Sequence, residues 1–214
     1  MENYLRRLIE EGENQKLDFK YCVSDSRKIA RTLVAFANTD GGKLLIGVRD
    51  NRSIAGIRTE EEFYMVETAV HLFCRPVITF SIKQHTTGGK TVLEVDVMKG
   101  NEKIFQARDE NDRWITYFRH KDQNLVANRI LKQVWKRESH KNGAHIKFGK
   151  SENAVMDHLK KNGFITLSQC RRIAGLASRK AETLLVNLIL LKVIKIIPSE
   201  KGFVYELDRS GDNL

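Results

Sequence analysis

Residues 29–48 join a helical pattern, a glycine pair and an apolar run without interruption, and this order limits the fold more than any other part of the sequence. The segment 38–42 (NTDGG) has residues that end a helix, and the segment 43–48 (KLLIGV) has the continuous apolar character of a buried strand. The apolar residues before them recur at the spacing of one buried helix face: Ile29, Ala30, Leu33, Val34 and Ala37. A helix that turns directly into a buried strand predicts a domain built from both kinds of element.

Elements on both sides of this stretch also alternate between helical and strand patterns. Residues 17, 19 and 21 indicate a strand whose opposite face presents Asp18 and Lys20, and residues 24–26 can cap the following helix. Helices and hairpin-linked strands in this irregular order predict an α+β fold with a mixed sheet. The other predicted elements are a helix ended by Gly12, a helix at 60–73, a hairpin of 77–83 with 91–97, a hairpin of 104–108 with 113–119, and a helix at 125–135.

The C-terminal part has a different pattern, in which three helices precede a hairpin. Its apolar residues indicate helices near 154–159, 170–174 and 178–191, and strands at 193–197 and 202–207. This is the order of a small winged helix-turn-helix domain, in which the third helix enters the major groove of DNA. We therefore expect four regions: a domain at 1–135, a basic linker at 136–149, a winged-helix-like domain at 150–208 and a tail at 209–214.

The net charge indicates a polyanionic partner. The chain has 37 Lys and Arg against 27 Asp and Glu, a formal net charge of +10, and its sequence pI is about 9.6. Residues 136–214 hold 15 basic against 8 acidic residues, whereas residues 1–135 hold 22 against 19. Because a basic surface attracts phosphates and releases their counterions, nucleic acid is the expected partner.

The sequence disfavours several other classes of protein. No apolar run reaches the roughly 20 residues that a membrane span requires, and the first residues lack the basic-then-apolar order of a secretory signal. Cys22, Cys74 and Cys170 are odd in number and widely spaced, which argues against a disulfide framework and against a thiolate zinc site. We therefore expect a cytoplasmic protein.

Three segments of the first domain resemble one known family. They are residues 13–20 (ENQKLDFK), 34–50 (VAFANTDGGKLLIGVRD) and 117–119 (YFR). Together they are similar to the Schlafen AlbA-like domain, which occurs widely in bacterial proteins and in the Schlafen proteins of animals. The sequence departs from the family pattern at Asp18, where Glu is usual, and at His120-Lys121, which replaces the x-Gly that often follows the arginine.

The resemblance implies nucleic-acid binding, and in animal Schlafens the domain also cleaves RNA with a metal ion and three carboxylates. The matching residues are Glu13, Asp18 and Asp50. A metal-dependent ribonuclease or endonuclease with Mg²⁺ or Mn²⁺ is therefore the alternative function, with Lys20 as a phosphate clamp, because clustered carboxylates can hold an ion that activates water. Acids at strand ends are also commonly solvated, and bacterial relatives often only bind. A binder without a cofactor is thus the main hypothesis.

Basic residues in both domains are candidates for nucleic-acid contacts. In a winged helix, the start of the third helix contacts the groove and the hairpin tip contacts the backbone. A solvated basic face is the alternative for each residue, and the apolar run 184–191 leaves room for a dimerisation or protein-docking module. The candidates are Lys20, Arg27, Lys28, Arg31, Arg119 and Lys121 in the first domain, and Arg171, Arg172, Arg179, Lys180 and Lys201 in the second.

Gly41 and Gly42 beside Lys43 allow two interpretations. A phosphate-binding loop needs a strand, a glycine loop and then a helix, whereas these glycines follow a helix and precede a strand. We therefore favour a helix end that requires a positive φ.

We predict a DNA-binding transcriptional regulator that neutralises phosphates with both domains. RNA is the alternative ligand, and a homodimer is an alternative assembly because winged-helix regulators often bind two half-sites. An adaptor that docks another protein is a third alternative, which predicts no affinity for nucleic acid.

Overall fold

The structure is a computed structural model that describes residues 2–100, 104–139 and 149–209. The chain divides into two compact units, Met1–Ala127 and Asn128–Leu214. The elements of the first unit are α1 (Glu2–Glu11), β1 (Leu17–Lys20), α2 (Ser26–Ala37), β2 (Gly42–Ile46), α3 (Glu61–Phe73), β3 (Cys74–Arg75), β4 (Phe80–Thr87), β5 (Lys90–Val97), β6 (Gln106–Arg108), β7 (Trp114–Ile115), β8 (Tyr117–His120) and β9 (Gln123–Val126). Those of the second unit are α4 (Arg129–Ser139), α5 (Lys150–Asn162), β10 (Phe164–Ile165), α6 (Leu167–Ala174), α7 (Ser178–Leu190), β11 (Ile194–Ser199) and β12 (Gly202–Leu207). The predicted α+β fold class is confirmed.

The main sheet of the first unit has four strands in the order β1-β2-β5-β4. β1 is parallel to β2, whereas β5 is antiparallel to both β2 and β4, so the sheet is mixed, as expected. Alternate residues of β2 lie in different cores. Leu44 and Ile46 belong to the core that includes the apolar face of α2, and Leu45 packs with Leu5 and Ile9 of α1. The continuous apolar run of β2 reflects this burial on both faces.

The helix end and glycine turn of the first unit follow the local sequence signals. Asp25 caps α2, because its side chain accepts a hydrogen bond from the backbone nitrogen of Arg27 at 2.8 Å. Gly41 has a φ of +70° after the helix. At Gly42 the space is limiting, since a Cβ would lie 2.6 Å from the ring of Phe36.

The predicted strand 113–119 is wrong in one respect, because it is two strands. β7 pairs with β6, whereas β8 pairs with β9 in a separate hairpin. Lys121 makes the turn of that hairpin with a φ of +56°. A positive φ at a lysine is uncommon, so the sequence gives little signal for this turn.

The predicted helix 125–135 begins later than expected. Leu125 and Val126 belong to β9, and α4 begins at Arg129. The side chain of Asn128 caps the helix by accepting a hydrogen bond from the backbone nitrogen of Leu131 at 2.8 Å.

The second unit contains the three predicted helices and the hairpin, together with two further elements. β10 completes a three-stranded sheet in the order β10-β12-β11, and α4 belongs to this unit. Ile130 and Val134 of α4 lie in the same core as Leu185 and Tyr205. The division after Ala127 is therefore earlier than the boundary suggested by the sequence, because α4 buries its apolar face in the second unit.

The predicted linker 136–149 begins within α4, which ends at Ser139. Residues 140–148 of that linker and residues 210–214 of the predicted tail lie outside the described residues. In the described part of the chain, every helix is too short or too polar to cross a membrane.

Glu94 of β5 is completely buried and connects α1 to the sheet. Its carboxylate accepts hydrogen bonds from Tyr4 Oη at 3.0 Å and Lys43 Nζ at 2.6 Å, and lies 2.7 Å from His85 Nε2. Lys43 also pairs with Asp96. Burial alone would raise the pKa of Glu94, but its hydrogen bonds with Lys43, His85 and Tyr4 outweigh burial and hold the pKa below its ordinary value.

Candidate nucleic-acid interface

Arg119 lies in the interior of the first unit, where its side chain is 1% exposed. Nη2 donates to Asp18 Oδ1 at 3.0 Å and to the main-chain oxygens of Asn14 and Leu17, and Nη1 donates to Asn124 Oδ1. These partners engage the guanidinium within the fold. The expectation that Arg119 contacts phosphate is therefore corrected: this residue holds β8 against the start of the chain.

Lys20 is partly exposed and is paired with an acid of its own strand. Its Nζ donates to Asp18 Oδ2 at 2.7 Å and to the main-chain oxygen of Phe19 at 2.8 Å. Asp18 therefore lies between two cations, Lys20 and Arg119. A phosphate that approached Lys20 would have to compete with this carboxylate.

Glu13 lies beside Asp18 at the start of β1. Its Oε1 accepts a hydrogen bond from the backbone nitrogen of Phe19 at 2.8 Å. Burial raises the pKa of Glu13, and the neighbouring Asp18 raises it further, although the Phe19 hydrogen bond acts in the opposite direction. Two of the three acids predicted for a nuclease are thus brought together.

Asp50, the third predicted acid, is an exposed residue of the turn that follows β2. Within residues 2–100, 104–139 and 149–209, no three His, Cys, Asp or Glu side chains come close enough together to hold a metal ion. In the described residues, Glu13 and Asp18 therefore lie together, and Asp50 does not join them as a third metal ligand.

The predicted basic residues of α2 lie on the side of the helix that is not buried. Lys28 is exposed, and Arg27 and Arg31 are half-buried. The guanidinium of Arg27 lies 4.9 Å from the ring centroid of Phe73, and that of Arg31 lies 5.3 Å from that of Tyr117. Both arginines are thus stacked on aromatic rings and still reach solvent.

Lys121 is exposed at the turn between β8 and β9. Its backbone nitrogen donates to Gln15 Oε1 at 2.7 Å, which fixes the turn without using the ammonium group. This residue therefore remains a candidate for a phosphate contact.

Sequence reasoning missed a basic cluster around Tyr21, an exposed residue just after β1. The guanidinium carbon atoms of Arg49 and Arg58 lie 4.9 and 5.1 Å from its ring centroid, and Arg58 Nη2 donates to its hydroxyl at 2.8 Å. Hydrogen bonding and charge from Arg58, followed by Arg49, hold the pKa of Tyr21 below its ordinary value. Because β1 and β2 are parallel, the residues that follow them meet at one edge of the sheet. That pairing is the signal that could have revealed the cluster.

The predicted basic residues of the second unit are all exposed. α6 is positioned by Thr166, whose side chain accepts from the backbone nitrogen of Gln169, and it ends at Gly175 with a φ of +64°. The predicted residues lie in the last turn of α6, in the first turn of α7 and in the turn between β11 and β12: Arg171 and Arg172, Arg179 and Lys180, and Lys201.

The apolar run of α7 is mostly used inside its own unit. Leu184, Leu185 and Leu188 are buried in the core, whereas Leu191, just beyond the helix, is 40% exposed. Packing within the unit accounts for these leucines without a docking partner.

The model of one protein family, described as Schlafen, AlbA_2, matches residues 13–142, which is more than half of the chain. No curated protein matches the chain. The DIP2311 protein from Corynebacterium diphtheriae is 18% identical, with a TM-score of 0.48 over 92% of this chain and 39% of that chain. The N-terminal domain of an ATP-dependent DNA helicase RecG-related protein from Nitrosomonas europaea is 20% identical, with a TM-score of 0.38 over 58% of this chain and 95% of that domain. The chain thus spans well under half of the DIP2311 protein, and the family match alone supports an assignment.

Proposed function

Because the chain belongs to the Schlafen AlbA_2 family, we propose that it binds nucleic acid and acts as a DNA-binding transcriptional regulator. The observation that best supports this proposal is a group of five exposed cations in the second unit. None of the five forms an ion pair with another described residue, so their charge is available to a polyanion. They are Arg171, Arg172, Arg179, Lys180 and Lys201.

We take the second unit to be a winged helix-turn-helix, since α5, α6 and α7 precede a hairpin that belongs to a three-stranded sheet. In this arrangement the first turn of α7 enters the major groove, where Arg179 and Lys180 reach base edges. An arginine or lysine can donate to the two acceptors of guanine. The cations of α6 and Lys201 contact phosphates, which fix the register of the protein on the duplex.

Binding is proposed in preference to cleavage because two of the three candidate acids, Glu13 and Asp18, are engaged by the protein itself. Asp18 is paired with both Arg119 and Lys20, and Glu13 accepts a hydrogen bond from the backbone. A metal ion at this position would have to replace two cations that are already bound to the carboxylate.

The proposal is tested by titrating the full chain with a short duplex of mixed sequence at several salt concentrations. Log affinity should fall linearly with log salt, by about 0.9 for each phosphate neutralised. The double variant Arg179→Ala, Lys180→Ala should lose about 2–4 kcal/mol of binding free energy.

The matched control is the double variant Lys160→Ala, Lys161→Ala, which removes the same charge from the last turn of α5. It should bind more tightly than the α7 variant. An affinity that does not respond to salt would overturn the proposal. Metal-dependent cleavage products that are lost with chelator and with Asp50→Asn would instead establish the nuclease.

A further inference from the structure

We propose that the first unit has its own site for unpaired nucleotides, which we term the arginine face. This inference deepens the proposed function by naming the class of nucleic acid that the first unit takes. The site combines four guanidiniums with one aromatic ring: Arg27, Arg31, Arg75, Arg108 and Trp114.

Strand pairing brings three of these residues to one side of the β3-β6-β7 sheet. Arg75 is the cross-strand partner of Gln106, and Arg108 is the partner of Trp114. Gln106 and Arg108 are two residues apart and share a face, whereas Ala107 between them is buried on the other face. Arg75 Nε donates to Gln106 Oε1 at 3.0 Å, and its guanidinium lies 4.2 Å from the ring centroid of Trp114.

A shared carboxylate connects this sheet to α2. Asp112 Oδ1 lies 3.1 Å from Arg108 Nε and 3.7 Å from Arg27 Nη2. Arg31 is four residues after Arg27 and lies on the same side of α2. The four guanidiniums therefore occupy one continuous surface.

The charge of this surface is poorly compensated. Among the described residues, Asp112 is the one acid that forms ion pairs with these arginines, and it pairs with Arg27 and Arg108. The Nε atoms of Arg27 and Arg31 are buried without a hydrogen-bond partner among the described atoms, whereas that of Arg108 lies 3.1 Å from Asp112 Oδ1. A buried donor without an acceptor is unfavourable. Phosphate oxygens bound to these guanidiniums would compensate their excess charge.

The aromatic contacts explain why the arginines are suited to binding. Arg27, Arg31 and Arg75 are each stacked on a ring, which restricts their rotamers and reduces the entropy lost when a ligand binds. Half-exposed side chains of Arg27 and Arg108 keep the charge in contact with solvent.

The ring of Trp114 favours single-stranded nucleic acid over a duplex. Unpaired bases stack on aromatic side chains and on guanidinium planes, whereas the bases of a duplex are stacked on each other. Trp114 with Arg75 offers both kinds of surface next to phosphate-binding arginines. Single-stranded DNA and single-stranded RNA both present unpaired nucleotides, so the affinity for each is measured separately.

The experiment measures the affinity of the full chain for an oligothymidylate, an oligouridylate and a mixed-sequence duplex. The double variant Arg27→Ala, Arg108→Ala should weaken binding of a single strand about tenfold or more. Asp112→Asn should tighten it, because it removes the carboxylate that competes with phosphate. A gain of affinity cannot arise from misfolding, so this variant keeps the test decisive. Lys83→Ala, an exposed charge on β4, is the control for loss of one cation.

Fluorescence reports stacking directly, because the chain has two tryptophans. A single strand should quench the emission of the wild type, and Trp114→Phe should abolish most of this quenching while leaving the signal of Trp135. Quenching that persists in Trp114→Phe would overturn the stacking step.

The two proposals fail separately. In the Arg179→Ala, Lys180→Ala variant, duplex binding should fall while single-strand binding persists. If single-strand affinity is lost in that variant and unchanged in the Arg27, Arg108 and Asp112 variants, the arginine face is wrong and the proposed function stands. If duplex binding does not change in the Arg179→Ala, Lys180→Ala variant but single-strand binding responds to the arginine-face variants, the arginine face stands and the proposed function is wrong.

Discussion

Arg119 donates from Nη2 to Oδ1 of Asp18 at 3.0 Å, and both side chains are almost completely buried. The two residues are 101 positions apart in the sequence. Their contact joins β8 to β1, and the same guanidinium donates to main-chain oxygens of the segment before β1. The arginine of the YFR segment therefore acts within the fold and does not contribute to the binding surface.

Replacing Arg119 with Ala should lower the free energy of unfolding by about 3–5 kcal/mol, because it removes one of the two cations paired with the buried Asp18 and the donor to the main-chain oxygens of Asn14 and Leu17. Arg119→Lys should rescue little of this loss, since an ammonium cannot reach several acceptors in the geometry of a guanidinium. Urea denaturation measures both values.

Arg113, an exposed arginine that pairs with Asp109, is the matched control for Arg119. Arg113→Ala should cost less than about 1 kcal/mol, as is usual for surface ion pairs. Equal losses in the two variants would contradict the assignment of Arg119 as a buried anchor.

The sequence predicts elements well where a local signal exists. The cap at Asp25, the glycine pair and the apolar run of β2 each act within a few residues, and the helix and strand they predict are present. The segment 113–119 divides at Thr116, and β8 then turns back at Lys121, whose φ is positive, to pair with β9. Periodicity does not detect such a turn.

The candidate site was only partly predictable because several of its contacts are long-range. Arg27 and Arg31 could be proposed from the pattern of α2 alone. Arg75 and Arg108 join them only through the pairing of short strands, and Arg119 is buried by residues distant in sequence. An arginine in a strand has the same local pattern whether it faces solvent or an acid, so burial could not be inferred.

Gly42→Ala should destabilise the first unit by about 1–3 kcal/mol, because its Cβ would lie 2.6 Å from Phe36 and 2.9 Å from the main-chain oxygen of Lys16. Thermal or urea unfolding measures the loss. Gly88→Ala is the control for adding a methyl group, since no atom lies within 4 Å of a Cβ built there, although Gly88, unlike Gly42, has a positive φ that strains any side chain. If Gly42→Ala keeps full stability and loses nucleic-acid affinity, the glycine pair would be a phosphate cradle after all.

Glu94→Gln should reduce the acid sensitivity of the fold. The pKa of Glu94 is held below its ordinary 4.5 in the folded protein. Its charge therefore adds stability that is fully present above about pH 4.5 and is lost as pH falls through the lower folded pKa. The variant should be less stable than the wild type at neutral pH, and the difference should shrink as the solution is acidified below pH 4.5. Urea denaturation across this range checks the sign, and a difference that grows on acidification would contradict it.

Tyr21 should ionise at lower pH than an ordinary tyrosine, because the hydrogen bond and charge of Arg58, with a smaller contribution from Arg49, hold its pKa below 10.0. Absorbance titration of the wild type minus Tyr21→Phe isolates this group among the five tyrosines. Arg58→Ala should raise the pKa of Tyr21 back toward 10.0, and Arg49→Ala should raise it less, since Arg49 does not donate the short hydrogen bond to the hydroxyl. Added oligonucleotide provides a further readout: phosphates that draw Arg58 away from the ring should raise the pKa in the wild type and leave that of Arg58→Ala unchanged.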